Sequence, residues 1–154
     1  MIFVAIMGVI FLADYLIKGQ VEKDFNKQDK RLVAKDKIVL RKLYNKGIAF
    51  GWFKGKESIT IVGTAMVMGA AISTFVALLF KSGKGLTKLG YAMIIGGGFN
   101  NLYERCMKGY VTDYFSFNVK CDKIKRIVFN ISDMFIIIGS LIVLLGKIFG
   151  NKNK

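Results

Sequence analysis

Two aspartates at the edges of apolar segments are the residues best suited to do chemistry in this chain. Asp113 follows a short apolar stretch, and Asp133 stands at the threshold of the last apolar run. An ionisable group at a membrane edge is costly, and such groups usually serve a function. Two carboxyl groups held within a few ångströms cannot both ionise near neutral pH, so one keeps a proton. The pair then supplies an acid and a base together.

The reaction that suits such a pair is peptide hydrolysis by an activated water. The ionised carboxylate takes a proton from the water, and the protonated carboxyl binds the carbonyl oxygen and helps the amine leave. The chain has no histidine, which removes Ser-His and Cys-His nucleophile pairs and histidine-bound metal. The residues therefore predict an aspartic peptidase that works without a cofactor or metal.

Four apolar stretches are the elements that must position these aspartates. The 154 residues are 53% apolar and contain no proline, with a mean hydropathy of +0.43, which is too apolar for an ordinary soluble domain. Runs approaching about 20 apolar residues can cross a membrane. The sequence predicts one all-α membrane domain over residues 1–154, with four transmembrane helices at about 2–17, 59–80, 89–105 and 131–149.

The loops of this arrangement, at about 18–58 and 106–130, lie on the same membrane face. Residues 38–44 are rich in strand formers and end in the turn-like Asn45-Lys46-Gly47, which predicts a small strand-containing cap in the first loop. The aromatic stretch 50–53 is typical of a chain that dips into the membrane interface. Polar residues that the four crossings bring to this one face are Asp14, Lys18, Asn45, Asn101, Arg105, Asp113, Asn130 and Asp133.

Structural roles stay open for some of these residues. Asp14 and Lys18 are spaced i, i+4 and can pair on one helical face, either within a site or only at a helix end. Arg105 can position an acidic loop through its forked guanidinium or stabilise the end of its helix. Asn130 and Asp133 fit helix capping, although a cap does not account for Asp113.

The net charge of +14 predicts contact with anionic phospholipid headgroups. The 24 Lys and Arg residues lie mainly between the apolar runs or at their ends, so phospholipid headgroups are the expected counter-charge and no nucleic-acid partner is expected. A positive-inside count would place the basic first loop in the cytoplasm, but long folded loops test that rule poorly, so the residues alone leave orientation open. Cys106 and Cys121 could pair, although two free thiols are the simpler expectation.

Five sequence blocks, in order, resemble those of the lipoprotein signal peptidases, also called signal peptidase II. They are similar to the family's Asp-x-x-x-Lys, Asn-x-Gly-x-Ala-Phe and Gly-Gly-x-x-Gly-Asn-x-x-Asp-Arg patterns, followed by the two blocks that hold its catalytic aspartates. In this chain the blocks are Asp14–Lys18, Asn45–Gly51, Gly96–Arg105, Val111–Tyr114 and Phe129–Asp133. The chain departs from the family pattern at Asn100, Glu104, Tyr114 and Ser132, where the family has Gly, Asp, Phe and Ala.

The resemblance implies a protease of the bacterial cytoplasmic (inner) membrane, with cytoplasmic termini and its site at the extracytoplasmic face. Its substrate would be a prolipoprotein that carries diacylglycerol on a cysteine, cut just before that cysteine, and the antibiotic globomycin would inhibit it. Asp113 and Asp133 would be catalytic. Substrate-binding or site-supporting residues would be Asp14, Lys18, Asn45, Gly47, Asn101, Arg105 and Asn130.

Two other classes of function stay open from the residues. A small four-helix proton-coupled transporter would use Asp14 as its binding carboxylate within the membrane and leave Asp113 idle. A noncatalytic relative that binds lipid or a partner would keep the same residues. Lipid recognition in the peptidase interpretation is assigned to the aromatic stretch 50–53 and the apolar walls.

Overall fold

Long helices form wherever the proline-free apolar runs of the chain allow them. The computed structural model describes residues 1–47 and 57–150, with side chains for residues 1–47 and 58–148. Within those residues, four helices have 20 or more residues and one is a single turn. The helices are α1 (Ile2–Asp24), α2 (Glu57–Leu79), α3 (Gly85–Lys108), α4 (Asp122–Lys125) and α5 (Ile131–Gly150).

Three helices of the described chain are long and apolar enough to cross a membrane. They are Ile2–Asp24, Ser58–Leu79 and Ile131–Ile148, with mean hydropathies of 2.0, 2.0 and 2.1. The helical membrane fold predicted from the sequence is confirmed to that extent. Helix α3 is as long, but it carries Asn100, Asn101 and Glu104 among its buried residues, which lowers its hydropathy.

Helix α3 lies at the centre of the structure and contacts α1, α2 and α5. Its three consecutive glycines each face a different helix. A Cβ atom at Gly96 would lie 2.9 Å from the Met7 carbonyl oxygen of α1, and one at Gly97 would lie 2.5 Å from the Ser132 carbonyl oxygen of α5. A Cβ atom at Gly98 would overlap the Met68 sulfur of α2. The triglycine is therefore a close-packing element, because small residues let helix backbones approach.

A three-stranded antiparallel sheet accompanies the helices. It consists of β1 (Lys30–Val33), β2 (Ile38–Asn45) and β3 (Val111–Phe117), in that order. The strand predicted at 38–44 is confirmed as β2. Strand β3 was not predicted, because its side chains are buried along nearly its whole length and so lack the polar alternation of a half-exposed strand.

Two predicted boundaries differ from the structure. Helix α1 continues past residue 17 to Asp24, because Lys18 and Glu22 of its last turns point into ion pairs with other elements. Helix α3 runs to Lys108 and ends at Gly109, whose left-handed φ of 76° suits a glycine C-cap. The aromatic stretch 50–53 lies outside the described residues.

A close approach of α3 and α5 at Gly139 gives a first prediction. A Cβ atom at Gly139 would lie 2.6 Å from the carbonyl oxygen of Gly90, which is backbone and cannot move without shifting a helix. We expect Gly139→Ala to lower the free energy of unfolding by about 1–3 kcal/mol, measured by denaturation in detergent micelles. The matched control is Gly63→Ala in α2, where nothing lies within 4 Å. Equal losses in both variants would contradict the packing argument.

Candidate active site

Asp113 and Asp133 line one cavity of about 300 Å³. Asp113 lies in β3 and Asp133 lies in the first turn of α5. They meet because the chain folds back after β3: the backbone N–H of Phe129 donates to the Phe115 carbonyl at 2.7 Å, which places the start of α5 beside the strand. The remaining lining residues are Asn45, Thr64, Gly98, Asn101, Arg105, Val111, Ile127, Val128, Phe129, Ile136 and Ile137.

Two asparagine amides hold the Asp113 carboxylate. Asn45 Nδ2 donates to Asp113 Oδ2 at 2.9 Å, and Asn130 Nδ2 donates to Asp113 Oδ1 at 2.7 Å. Each amide is oriented by a backbone donor on its oxygen, from Gly47 N at 3.0 Å to Asn45 and from Asp133 N at 2.9 Å to Asn130. Because those oxygens are occupied by donors, the amide nitrogens must face the carboxylate.

Asp133 is held in the same manner by a third amide. Asn101 Nδ2 donates to Asp133 Oδ1 at 2.9 Å, and the Asn101 oxygen accepts a hydrogen bond from Lys18 Nζ at 2.9 Å. The backbone N–H of Asn130 donates to Asp133 Oδ2 at 3.2 Å, which completes a reciprocal capping box at the start of α5. Asn130 therefore caps the helix and also contacts the other aspartate, so the two roles considered for it coexist.

Arg105 ties the turn after β2 to the central helix. Its Nη2 donates to the Gly47 carbonyl at 3.0 Å and its Nη1 to the Asn101 carbonyl at 3.4 Å. The guanidinium also lines the cavity of the two aspartates. Its Nε–H is buried and has no hydrogen-bond partner among the described residues.

Lys18 is the centre of a second cluster behind the aspartates. Its side chain is 1% exposed, and Nζ contacts Asp14 Oδ2 at 2.8 Å and Glu104 Oε2 at 2.9 Å. It also donates to the side-chain oxygens of Asn100 and Asn101, at 2.7 and 2.9 Å. All nine residues of the predicted site thus lie within one connected hydrogen-bond network.

Sequence reasoning missed the outer members of this cluster. Lys108 Nζ contacts Glu104 at 2.9 Å and Glu22 at 2.8 Å, and the Thr112 hydroxyl donates to Glu22 at 2.8 Å. A signal was present, because Glu104 and Lys108 are spaced i, i+4. Asp14 is 0% exposed and is not among the residues that line the cavity, which does not suit a transported proton or substrate.

Burial raises the pKa of Asp113 to about 7, with the negative charge of Asp133 as the next cause. The hydrogen bonds from Asn45 and Asn130 oppose this shift but are outweighed. A carboxyl group that keeps its proton near neutral pH beside a second carboxyl group can act as an acid while its partner acts as a base. Among the described residues no three His, Cys, Asp or Glu side chains could hold a metal ion, and Cys106 and Cys121 are exposed free thiols.

Comparison with known proteins places this chain in a family. The family model of signal peptidase (SPase) II matches residues 6–149. A lipoprotein signal peptidase of Sinorhizobium fredii is 35% identical over 147 residues, covering 94% of this chain and 84% of the relative. One from Halothermothrix orenii is 32% identical over 146 residues, covering 94% and 93%. A bacterial membrane enzyme solved by the in meso method at 2.3 Å has the same fold, with a TM-score of 0.84, 19% identity and coverage of 99% and 90%.

The buried lysine gives a second prediction. Lys18→Met keeps the length of the side chain but leaves the carboxylates of Asp14 and Glu104 buried without their shared cation. We expect the free energy of unfolding to fall by about 3–5 kcal/mol, measured by denaturation in detergent. The matched control is Lys23→Met on the same helix, where the lysine is exposed. An equally small loss in both variants would show that the cluster adds little to stability.

Proposed function

The chain belongs to the signal peptidase II family of membrane proteases, and from that membership we propose that it removes signal peptides from lipoproteins with Asp113 and Asp133 as its catalytic pair. The observation that carries the proposal is the cavity that both carboxyl groups share, with each carboxyl group oriented by an asparagine amide. Neutral amides fix the direction of a carboxyl group without forcing it to ionise, so the pair can retain one proton.

In the proposed mechanism a water molecule lies between the two carboxyl groups. The ionised one takes a proton from the water as it attacks the scissile carbonyl, and the protonated one donates to the carbonyl oxygen. The tetrahedral intermediate then collapses as a proton passes to the leaving amine.

The membrane arrangement we propose includes α3 as a fourth transmembrane helix. The link between α2 and α3 is short, so the two helices run in opposite directions, and α3 contacts α1, α2 and α5. Its polar residues Asn100, Asn101 and Glu104 are buried against neighbours and do not face lipid. Both termini would then be cytoplasmic, with the aspartates and the strand-containing cap at the extracytoplasmic face of the inner membrane.

The substrate we propose is a prolipoprotein already modified with diacylglycerol, cut just before the lipidated cysteine. The cavity combines the two aspartates with apolar walls from Val128, Ile136 and Ile137, which suits a peptide bond beside acyl chains. Phospholipid surrounds the helices, and globomycin is expected to inhibit by occupying the site. We propose that the aromatic stretch 50–53 contributes to recognition of the substrate's lipid.

Substitution of each aspartate tests the catalytic pair. Asp113→Asn and Asp133→Asn remove one carboxyl group at a time, and we expect each to lower kcat by about 10²- to 10⁴-fold or more, because acid–base transfer is lost. The measurement is cleavage of a diacylglyceryl prolipoprotein in detergent, with unlipidated substrate as a second arm that should not be cut. Asp122→Asn in α4, where the residue is exposed, is the matched control. Substantial activity in either aspartate variant would refute the mechanism.

The pH dependence of cleavage tests the shared proton. Because the pKa of Asp113 is raised to about 7, the singly protonated pair persists to neutral pH, and kcat/KM should fall as pH rises beyond that value. The Asn45 hydrogen bond lowers this pKa, so Asn45→Ala should move the basic limb to higher pH. Asn118→Ala, which removes an exposed hydrogen bond to the Asp36 carbonyl, should leave the limb in place. A basic limb that moves to lower pH would contradict the assignment.

A further inference from the structure

Two buried hydroxyl groups donate to the same carboxylate behind the site. The Tyr114 hydroxyl donates to Asp14 Oδ1 at 2.9 Å, and the Ser132 hydroxyl donates to Asp14 Oδ2 at 2.6 Å. Tyr114 is 4% exposed, and Asp14 and Ser132 are 0% exposed. Hydrogen bonds to an ionised group in a buried setting are among the stronger ones in proteins.

The positions of these hydroxyls along the chain matter more than their number. Tyr114 directly follows Asp113 on β3, and Ser132 directly precedes Asp133 on α5. Neighbouring side chains on a strand point to opposite faces, so Tyr114 faces α1 while Asp113 faces the cavity. One carboxylate of α1 thus holds the residues next to both aspartates.

A second link closes the same junction. The Tyr114 oxygen accepts a hydrogen bond from the backbone N–H of Ile131 at 3.0 Å, so this side chain also binds the first residue of α5. Asp14 in turn pairs with Lys18, whose contact with Asn101 orients the amide that donates to Asp133. Strand β3, helix α5 and the Asn101 amide are therefore all connected to Asp14, either directly or through Lys18.

We propose that Tyr114 and Ser132 are positioning residues that act through Asp14 to set the separation of Asp113 and Asp133. This inference rests on the proposed function. At these two positions the family pattern has Phe and Ala, which carry no hydroxyl group. The hydrogen bonds from Tyr114 and Ser132 to Asp14 are therefore a departure of this chain from that pattern. Repulsion between two carboxylates weakens as their distance grows. The two pKa values of a more widely separated pair therefore lie closer together.

The test compares Tyr114→Phe, Ser132→Ala and the double variant with the wild type. We expect kcat to fall by about 10- to 100-fold in the double variant, with KM within about twofold, because the reacting groups are misplaced and the binding walls are untouched. The bell of kcat against pH should also become narrower. The matched controls are Tyr103→Phe in α3 and Ser140→Ala in α5. The Ser140 hydroxyl is exposed and donates to the Ile136 carbonyl of its own helix.

The width of the bell-shaped curve of kcat against pH distinguishes a role in positioning the aspartates from a role in stabilising the fold alone. Charged or titratable groups that face the junction are Asp14, Lys18, Glu104, Arg105, Asp113 and Asp133, together with Tyr114 itself. Burial, followed by the charge of Asp14, raises the pKa of Tyr114, so the phenol is neutral across the range tested. Neither substitution changes a charge, and a narrower bell then reports the spacing of the aspartates.

The outcomes distinguish this inference from the proposed function. A wild type that cuts lipidated substrate, with inactive Asp113→Asn and Asp133→Asn variants and a slower double hydroxyl variant with a narrower bell, supports both. Unchanged kcat in the double variant, or a drop of equal size at every pH with a lower unfolding temperature, overturns the positioning role alone. A wild type that does not cut overturns both.

Discussion

The arrangement depends on one buried ammonium group. Lys18 Nζ has acceptors from Asp14, Glu104, Asn100 and Asn101, all within 2.9 Å. Removing such a charge from water costs several kcal/mol, and only close, well-directed partners offset that cost. The contact fixes α1 against α3 and determines which way the Asn101 amide points. Because a lysine can only donate, the oxygen of Asn101 must face it and the nitrogen must face Asp133.

Close helix packing makes this contact possible. Lys18 reaches two asparagines of α3 only because α1 approaches that helix at Gly96, where a side chain would meet the Met7 backbone. The same triglycine lets α5 approach at Gly97, which brings Ser132 and Asp133 to the network. Packing and polar contacts therefore depend on each other. Side chains in place of the glycines would move the charged groups of α1 away from α3, and without those charged groups the polar face of α3 would lose its partners.

Local patterns in the sequence predicted the elements but not all of their junctions. Apolar runs predicted the long helices, and the strand formers of 38–44 predicted β2. The acidic pair was identified because carboxyl groups beside apolar runs are rare. The orienting residues were identified because four crossings bring them to the same membrane face, and the family resemblance added Gly47. The last turns of α1, strand β3 and the contacts of Tyr114 and Ser132 depend on partners that are distant in the sequence; Tyr114 and Asp14, for example, are 100 residues apart. Such contacts leave no period in the chain.

The contrast between the two clusters explains why asparagines, and not lysines, touch the aspartates. Behind the site, Lys18 and Lys108 form direct ion pairs with Asp14, Glu104 and Glu22. A similar ion pair on Asp113 would favour its ionised form and remove the acid from the catalytic pair. Amide donors orient the carboxyl groups but stabilise the ionised form too weakly to offset burial and mutual repulsion, which is why the pKa of Asp113 stays raised. Lys18 and Lys108 thus stabilise the surrounding structure without contacting Asp113 or Asp133, and the aspartate pair can retain one proton.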